Sequence, residues 1–295
     1  MIGIPRFIMM LLTTLLCLYE TPVFSIELRM HAVDPIPRES PSITRPGLLP
    51  QSRIAAGDKN IIHAWFSGPT DRYPHGVLGD RWEASQLVVE TVDGKRFQVQ
   101  LPGNRVFEDL EPRLADVDGD NTDEIMVVES DTRSGASLAL YGLVSGRLVR
   151  MAATPFIGQP NRWLNPVGAG DFDGDGHTDI ALVATPHIGG LLRLDLIEGA
   201  TLKLFAEYSG VSTHRIGSTE LGLGHIVSAS PRDQLLVPDQ ARRAIMLLEW
   251  TPDGWQEITR VELSGSLGSA LMPLQADRWQ FRLENGNCYE IQLAN

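Results

Sequence analysis

From Ile54 to the end of the chain, hydrophobic residues occur in short runs rich in Val, Ile and Leu, and Gly, Asp or Asn separates each run from the next. No window sustains a helical period over three turns. Short β-branched runs bounded by turn residues are typical of strands. The pattern therefore predicts an all-β domain over residues 54–295.

A hairpin pattern recurs five times, with two apolar runs flanking a turn that contains glycine. The copies lie at 86–101, 138–149, 192–204, 245–258 and 281–293. Their turn glycines are Gly94, Gly146, Gly199, Gly254 and Gly286. Glycine supplies the positive φ that tight hairpin turns require. The first three intervals between these glycines are nearly equal and the last is much shorter, which predicts a repeat array with a truncated end.

A second repeated element, polar residues followed by a strand with small residues, occurs at 71–80, 110–118, 161–173 and 217–226. The small residues are Gly76, Ala115, Gly168, Ala169, Gly222 and Gly224. Such residues suit the innermost strands of a β-propeller, where neighbouring units crowd together. A period of about 50 residues predicts a β-propeller of five or six four-stranded blades, with five preferred. An open β-sandwich is the alternative. The run at 61–66 is expected to complete a blade to which both termini contribute.

Two stretches, 116–125 and 171–180, carry carboxylates at the same loop positions, 1, 3, 5 and 9. Gly119 and Gly174 are expected to turn the backbone so that these side chains converge. Clustered carboxylates repel one another unless a hard cation neutralises them, and oxygen ligands favour Ca²⁺. An EF-hand is excluded because position 12 is not Glu and the flanks are strand-like. We therefore expect two Ca²⁺ sites, against the alternative of solvated acidic turns. The expected ligands are Asp116, Asp118, Asp120 and Glu124, and Asp171, Asp173, Asp175 and Asp179.

Residues 1–25 are typical of a secretory signal peptide, with Arg6, an apolar run at 7–18 and a cleavage point near Ser25. An uncleaved anchor is the alternative. Residues 26–53 carry five prolines and predict an extended leader, and residues 54–295 a single domain. We expect an exported protein, periplasmic or secreted, without a membrane span in the mature chain.

The composition narrows the range of partners. The net charge is −12, and no Lys/Arg run provides the concentrated basic face that nucleic-acid binding requires. Nucleic acid is therefore excluded as a partner. After cleavage only Cys288 remains, so the mature chain cannot form an internal disulfide, and core packing and metal must stabilise it.

The acidic loops and the repeat period resemble the VCBS and FG-GAP repeat propellers, which include the integrin α-subunit head. The match is specific at 116–125 and 171–180 and extends as a repeat pattern over residues 54–295. In that family the loop joins the first two strands of a blade and binds Ca²⁺, which implies one ion at each loop. The segment 226–237 departs from the pattern because Asp233 is its one acidic residue. The resemblance implies an exported bacterial VCBS-repeat protein of unassigned activity.

Polar residues ahead of each inner strand predict a ligand site at one mouth of a central channel. An Arg, aromatic and His set suits a sugar or an anionic small molecule. The alternative is that these side chains join adjacent blades by hydrogen bonds. The candidates are Arg72, Tyr73, His75, Glu111, Arg113, Arg162, Trp163, Asn165, His214, Arg215 and Glu220.

The sequence favours a noncatalytic propeller that acts outside the cytoplasm as a monomeric binding or scaffold module for a protein or glycan. The chain lacks the Gly-x-Ser-x-Gly and His-Glu-x-x-His motifs of hydrolases. A glycan-active hydrolase or lyase remains an alternative, with Glu111, Glu220 or His75 as acid or base. A purely structural module is the third hypothesis. His177 and His187 are interpreted as surface or turn histidines.

Overall fold

The computed structural model describes residues 26–35 and 44–294. Every regular element of these residues is a β-strand, which confirms the all-β prediction. In chain order the strands are β1 (Glu27–Val33), β2 (Ala55–Ala56), β3 (Ile61–Thr70), β4 (Glu83–Thr91), β5 (Arg96–Gln100), β6 (Arg105–Phe107), β7 (Arg113–Ala115), β8 (Glu124–Asp131), β9 (Gly135–Val144), β10 (Arg147–Ala153), β11 (Leu164–Gly170), β12 (Asp179–Ala184), β13 (Leu191–Glu198), β14 (Thr201–Ser209), β15 (His225–Val227), β16 (Gln234–Pro238), β17 (Ala244–Thr251), β18 (Gly254–Glu262), β19 (Met272–Gln275), β20 (Arg278–Arg282) and β21 (Cys288–Ala294).

Antiparallel pairing groups these strands into five four-stranded units. Unit 1 is β2–β5, unit 2 is β7–β10, unit 3 is β11–β14 and unit 4 is β15–β18. Unit 5 has the order β19-β20-β21-β1. The short strand β6 pairs with β4 and β8 and so joins units 1 and 2. Each unit is a meander of neighbouring strands, as in a propeller blade.

The N-terminal strand completes the last unit. β1 pairs with β21 over its whole length, from Glu27 opposite Ala294 to Val33 opposite Cys288. Residues 27–33, which the sequence assigned to an extended leader over 26–53, instead form a strand of unit 5, and Leu28 packs into the core of units 4 and 5. The expectation that 61–66 completes this unit is wrong. These residues belong to β3, which pairs with β2 and β4 inside unit 1.

The completion of unit 5 by β1 also explains why the last interval between turn glycines, from Gly254 to Gly286, is short. Gly94, Gly146, Gly199 and Gly254 lie in hairpins between the third and fourth strands of their units, and all have positive φ, as does Gly286. Gly286, however, lies between β20 and β21, which are the second and third strands of unit 5. The fourth strand of that unit comes from the other end of the chain. The last interval is therefore short because it ends at a turn between the second and third strands, one hairpin earlier than in the other units.

Hydrophobic cores lie between neighbouring units. In β8, Ile125 and Val127 face the core shared with unit 1, whereas Met126 and Val128 face the core shared with unit 3. Successive strand residues point to opposite faces, so a strand buried on both faces reads as a continuous apolar run. Two further cores, between units 3 and 4 and between units 4 and 5, follow the same rule. Stacking of units therefore accounts for the hydrophobic runs.

The inner strands and the segments that lead into them are crowded, as their small residues predict. A Cβ added at Gly168 would lie 2.6 Å from Cδ1 of Ile226 in the next unit, and one added at Gly222 would lie 3.0 Å from the Cβ of Ala270. Gly76 is an exception, because it lies in the long connection between β3 and β4 at φ 62°. The segment 71–80 is therefore not an inner strand, and β2 has that place in unit 1.

No helix among the described residues has the length and apolar character needed to cross a bilayer.

Candidate functional site

The two acidic loops follow β7 and β11 and have the same internal hydrogen bonds. Asp116 accepts from the backbone N–H groups of Gly119 and Asn121 at 2.8 and 2.9 Å, and Asp171 accepts from those of Gly174 and Gly176 at 2.8 and 3.0 Å. Gly119 and Gly174 have φ of 76° and 79°. These values match the expected turn.

The ninth residue closes each loop from the start of the next strand. Glu124 accepts from the N–H of Val117 at 3.0 Å, and Asp179 accepts from that of Phe172 at 3.1 Å. Val117 and Phe172 are buried between the units, which anchors the loops. The sequence repeat is therefore also a repeat of local structure.

Each loop gathers three carboxylates within reach of one cation. Oxygens of Asp116, Asp118 and Glu124 lie within 4.8 Å of one another, and so do those of Asp171, Asp173 and Asp179. Asp120 and Asp175 lie outside these groups, and their carboxylates accept from backbone N–H groups two residues further on, at 2.7 and 2.8 Å. The structure thus brings together three of the four predicted carboxylates at each loop.

Burial and mutual repulsion change the protonation of these groups. Burial, followed by the neighbouring carboxylates, raises the pKa of Glu124 to about 7 and that of Asp179 to about 7. Without a cation the ninth residue of each loop is therefore partly protonated near neutral pH. Oxygen-only clusters of carboxylates fit a hard divalent cation such as Ca²⁺.

The two loops differ in their neighbours. The Lys59 ammonium donates to Oδ2 of Asp116 at 2.8 Å, and this hydrogen bond lowers the pKa of Asp116. The second loop instead borders Asp233, which accepts from the N–H of Asp171 at 3.0 Å. Asp233, in the segment that lacks the 1-3-5 pattern, therefore joins unit 4 to the second acidic loop.

A cavity of about 630 Å³ lies where all five units meet. Residues from β2, β7 and β11, the approach to β15, and Ala270 before β19 line it. Its charged lining residues are Arg53, Glu111, Arg113 and Glu220. Convergence of the innermost segments of all units on one cavity is the arrangement of a propeller channel.

We call this cavity the central cavity and its four charged residues the charged rim. Hydrogen bonds fix the side chains of this rim. Arg53 donates through Nε to Glu111 at 2.6 Å, and Arg113 donates to the buried Asp109 at 2.6 Å and to Asn165 at 3.3 Å. Glu220 accepts from the N–H of Ala270 at 3.2 Å. Of the predicted ligand-site residues, Glu111, Arg113 and Glu220 therefore border the cavity, and Asn165 supports Arg113 from the buried side.

The remaining predicted residues do not line this cavity. Tyr73 accepts through its hydroxyl from the N–H of Asn161 at 2.8 Å, and Nδ1 of His75 lies 2.5 Å from the buried Glu108. Trp163 donates through Nε1 to the carbonyl of Glu108 at 2.8 Å. These contacts join units, which is the arrangement that the blade-joining alternative describes.

His214 belongs to a buried cluster of aromatic rings with His187 and Trp163. Its Nε2 donates to the carbonyl of Ser218 at 2.8 Å, so its Nδ1 accepts from Nε2 of His187 at 2.7 Å. Both rings pack against Trp163, with centroid distances of 4.8 and 6.1 Å. Burial lowers the pKa of His187 to about 4 and that of His214 to about 3. Both histidines are therefore neutral at pH 7.

The other predicted arginines lie apart from one another. Burial of the Arg72 guanidinium lowers its pKa, and its Nε and Nη2 atoms have no hydrogen-bond partner within the described residues. Arg162 donates to the carbonyl of its neighbour Asn161 at 3.1 Å. Arg215 points to Glu284, 3.4 Å away.

The connection between β3 and β4 crosses from unit 1 to unit 4. The N–H of Gly217 donates to the carbonyl of Val77 at 2.7 Å, and Val77 and Leu78 are buried with Leu110 and Leu221. This segment, 71–82, therefore packs over residues that lead into the inner strands. It places Tyr73 and His75 against units 2 and 3 instead of beside the cavity.

Sequence reasoning missed Arg53, Glu108 and the partnership of His187 with His214. Arg53 precedes the two-residue strand β2, which is too short to give a periodic signal. Glu108 follows the apolar pair Val106-Phe107, and this was the available sign that the carboxylate is buried. His187 and His214 are distant in sequence, so only the packing of units 3 and 4 brings them together.

Comparison with known proteins supports the repeat assignment. Residues 116–182 match the FG-GAP-like repeat. This range contains both acidic loops and the strands β8–β11 between them. No curated protein matches the chain.

One similar solved structure is BamB from Moraxella catarrhalis, with 14% sequence identity and a TM-score of 0.44. The alignment covers 86% of this chain and 61% of that one, so the chain spans about three fifths of the BamB structure. The repeat match itself confirms the resemblance to FG-GAP repeats at residues 116–182. The stacked four-stranded units give the described residues an all-β fold of propeller type.

Proposed function

We propose that the protein is a noncatalytic, calcium-binding propeller that acts outside the cytoplasm as a binding module for a protein or glycan. The observation that carries the proposal is the pair of acidic loops with matching hydrogen bonds and three converging carboxylates each. In each loop a divalent cation would replace the proton on the ninth residue and remove the repulsion among the carboxylates.

Calcium in this proposal has a structural role. Each loop joins the first two strands of its unit, and each contacts a neighbouring unit through Lys59 or Asp233. A cation bound there would fix the loop against the next unit. The partner would bind elsewhere, at the charged rim of the central cavity, where loops from all units converge.

The rim supports binding in preference to catalysis. Arg53 and Glu111 form an ion pair at 2.6 Å, and Glu220 accepts from the backbone of unit 5. A carboxylate occupied by an arginine is poorly placed to act as a general base. Paired charges at a cavity mouth suit recognition of polar groups on a glycan or a protein loop.

Calorimetric titration with Ca²⁺ tests the metal component. We expect two bound ions per wild-type chain, and one for Asp173→Asn. Asp253→Asn is the matched control, because Asp253 lies in the β17–β18 turn and belongs to neither carboxylate group. Absence of heat for the wild type would refute the calcium component.

A glycan array and a pull-down from a periplasmic extract, both with Ca²⁺ present, test the binding component. The double variant Arg53→Ala/Glu111→Ala removes the ion pair without leaving one charge unpaired. We expect it to lose the partner that the wild type retains, while its thermal midpoint stays close to that of the wild type. Equal retention by the double variant would exclude the rim as the binding surface.

A further inference from the structure

A second cavity, of about 440 Å³, lies between the connections of units 4 and 5. Arg215, Gly268, Arg282, Leu283, Glu284 and Gly286 line it. Arg242, in the β16–β17 connection, reaches Glu284 with Nη2 at 3.0 Å. We call Arg215, Arg242, Arg282 and Glu284 the arginine pocket. Arg215 and Arg282 do not line the central cavity, so this is a separate site.

The arginine pocket carries excess positive charge. Three arginines and one carboxylate make up the pocket, in a chain with a net charge of −12. Oε1 of Glu284 is the near atom for both Arg242, at 3.0 Å, and Arg215, at 3.4 Å. The Arg282 guanidinium is exposed and makes no ion pair with any described residue. Glu284 therefore compensates at most part of the charge.

The backbone holds Arg242 in a fixed position. Its φ is 56°, which is uncommon for a residue other than glycine. The carbonyl of Arg242 accepts from the N–H of Leu267 at 2.7 Å, and Asp239 accepts from the N–H of Arg243 at 2.6 Å. Backbone strain that the surroundings maintain is concentrated at functional sites.

The side chain of Arg242 has unused hydrogen-bonding capacity. It is 17% exposed, and its Nε is buried without a hydrogen-bond partner in the described residues. Glu284, in contrast, is 41% exposed on a turn and can rotate into solvent. The pocket thus combines one cation on a fixed backbone, two exposed cations and an exposed carboxylate.

We propose that the arginine pocket binds a phosphate or sulfate group. In the free protein the Glu284 carboxylate occupies the position of the anion. The bound oxyanion accepts hydrogen bonds from Arg215, Arg242 and Arg282, and Glu284 turns outward. Guanidinium groups bind such oxyanions through paired, charge-assisted hydrogen bonds, and several of them converging on one point favour a tetrahedral anion over chloride.

Calorimetric titration of the full chain with potassium phosphate and with potassium sulfate tests the proposal, with potassium chloride at equal ionic strength as reference. We expect binding of phosphate or sulfate and none of chloride. The relative affinity for the two anions then identifies the ligand chemistry. Wild-type protein that binds neither anion would overturn the proposal.

Two variants test the pocket in opposite directions. Arg282→Ala should weaken binding about tenfold, the usual loss for one charge-assisted hydrogen bond. Glu284→Gln should strengthen it about tenfold, because the competing charge is gone. Arg147→Ala, at an exposed arginine of unit 2 that has no ion pair among the described residues, is the control and should bind as the wild type does.

Unchanged affinity in Arg282→Ala, or weaker binding in Glu284→Gln, would contradict the proposal. Arg282 is exposed and unpaired within the described part of the chain, so its replacement should not affect folding and keeps the test decisive if Glu284→Gln misfolds. Failure of this site leaves the calcium titration unaffected, because the acidic loops join the first and second strands of other units.

Discussion

Gly190 lies where the connection between β12 and β13 touches the segment after β14. A Cβ added at Gly190 would collide with the carbonyl oxygen of Val211 and would lie 3.2 Å from Oε1 of Gln240. The N–H groups of Gly210 and Val211 both donate to the carbonyl of Gly190, so the two backbones cannot separate freely. The position therefore requires glycine for space.

Gly190→Ala should reduce the free energy of unfolding by about 1–3 kcal/mol, the usual cost of overpacking. Gly103→Ala is the control, because nothing lies within 4 Å of its added Cβ. Chemical denaturation of both variants measures the difference. Equal stability of the two would show that the Gly190 segment can move aside.

Lys59 distinguishes the two acidic loops at the residue scale. Its ammonium already compensates part of the charge on Asp116, whereas the second loop borders the Asp233 carboxylate, which accepts from the N–H of Asp171. Lys59→Gln should therefore increase the Ca²⁺ affinity of the first loop several-fold and leave the second unchanged. Titration in the Asp173→Asn background isolates the first loop. An unchanged or lower affinity would mean that Lys59 and the cation do not compete.

β1 shows that an element can complete a unit from a distant part of the chain. Its residues alternate between buried Leu28 and exposed Glu27 and Arg29, and its seven pairs with β21 cover the edge of unit 5. An edge strand covered in this way is protected from pairing with other chains.

Leu28→Asp should lower the free energy of unfolding by about 3 kcal/mol, because it buries a charge in the core of units 4 and 5. Arg29→Asp, on the exposed face of the same strand, should cost far less. Thermal unfolding and size-exclusion chromatography measure both effects, and we expect Leu28→Asp to associate through the uncovered β21 edge. Equal stability of the two variants would mean that β1 contributes little to closure.

At the scale of the whole molecule, the His187–His214 pair links stability to pH. Burial keeps the pKa of both rings below the usual 6.5, at about 4 for His187 and about 3 for His214. Arg242 adds to this effect at both rings, His75 at His187 and Arg215 at His214. Protonation of both rings would also place two N–H groups against each other at 2.7 Å.

The sign of the pH effect follows from these depressed values. As pH falls below 6.5 the unfolded chain binds protons first, so the stability present above pH 6.5 is lost progressively until pH reaches the folded-state pKa. Each histidine can contribute up to about 1.4 kcal/mol per pH unit in that window. The loss should extend down to about pH 4 for His187.

His187→Gln keeps a donor for Nδ1 of His214 and removes one titrating ring. The decline in unfolding free energy between pH 6.5 and 5 should therefore be shallower in the variant by about 1 kcal/mol per pH unit. Both proteins are compared with saturating Ca²⁺, because the raised pKa values of Glu124 and Asp179 act in the opposite direction when no cation is bound. Identical slopes would show that His187 is solvated in the folded protein.

The sequence predicted features that depend on neighbouring residues. The hairpin glycines, the turns at Gly119 and Gly174 and the short apolar run of β8 all follow from local backbone geometry and strand propensity. Their repetition at nearly equal intervals was enough to predict stacked β units. It was also enough to indicate which carboxylates could meet, because those of each cluster belong to one short loop.

The tertiary structure decided what depends on distant segments meeting. β1 and β21 come from opposite ends of the described chain, and Arg53 and Glu111 come from different units. The connection 71–82 resembles in composition the segments that precede the inner strands. Pairing of β3 with β4 nevertheless makes it the link between the second and third strands of unit 1. A sequence pattern records the local environment of each residue, whereas the cavity rim, the histidine pair and the arginine pocket exist only because packed units bring their residues together.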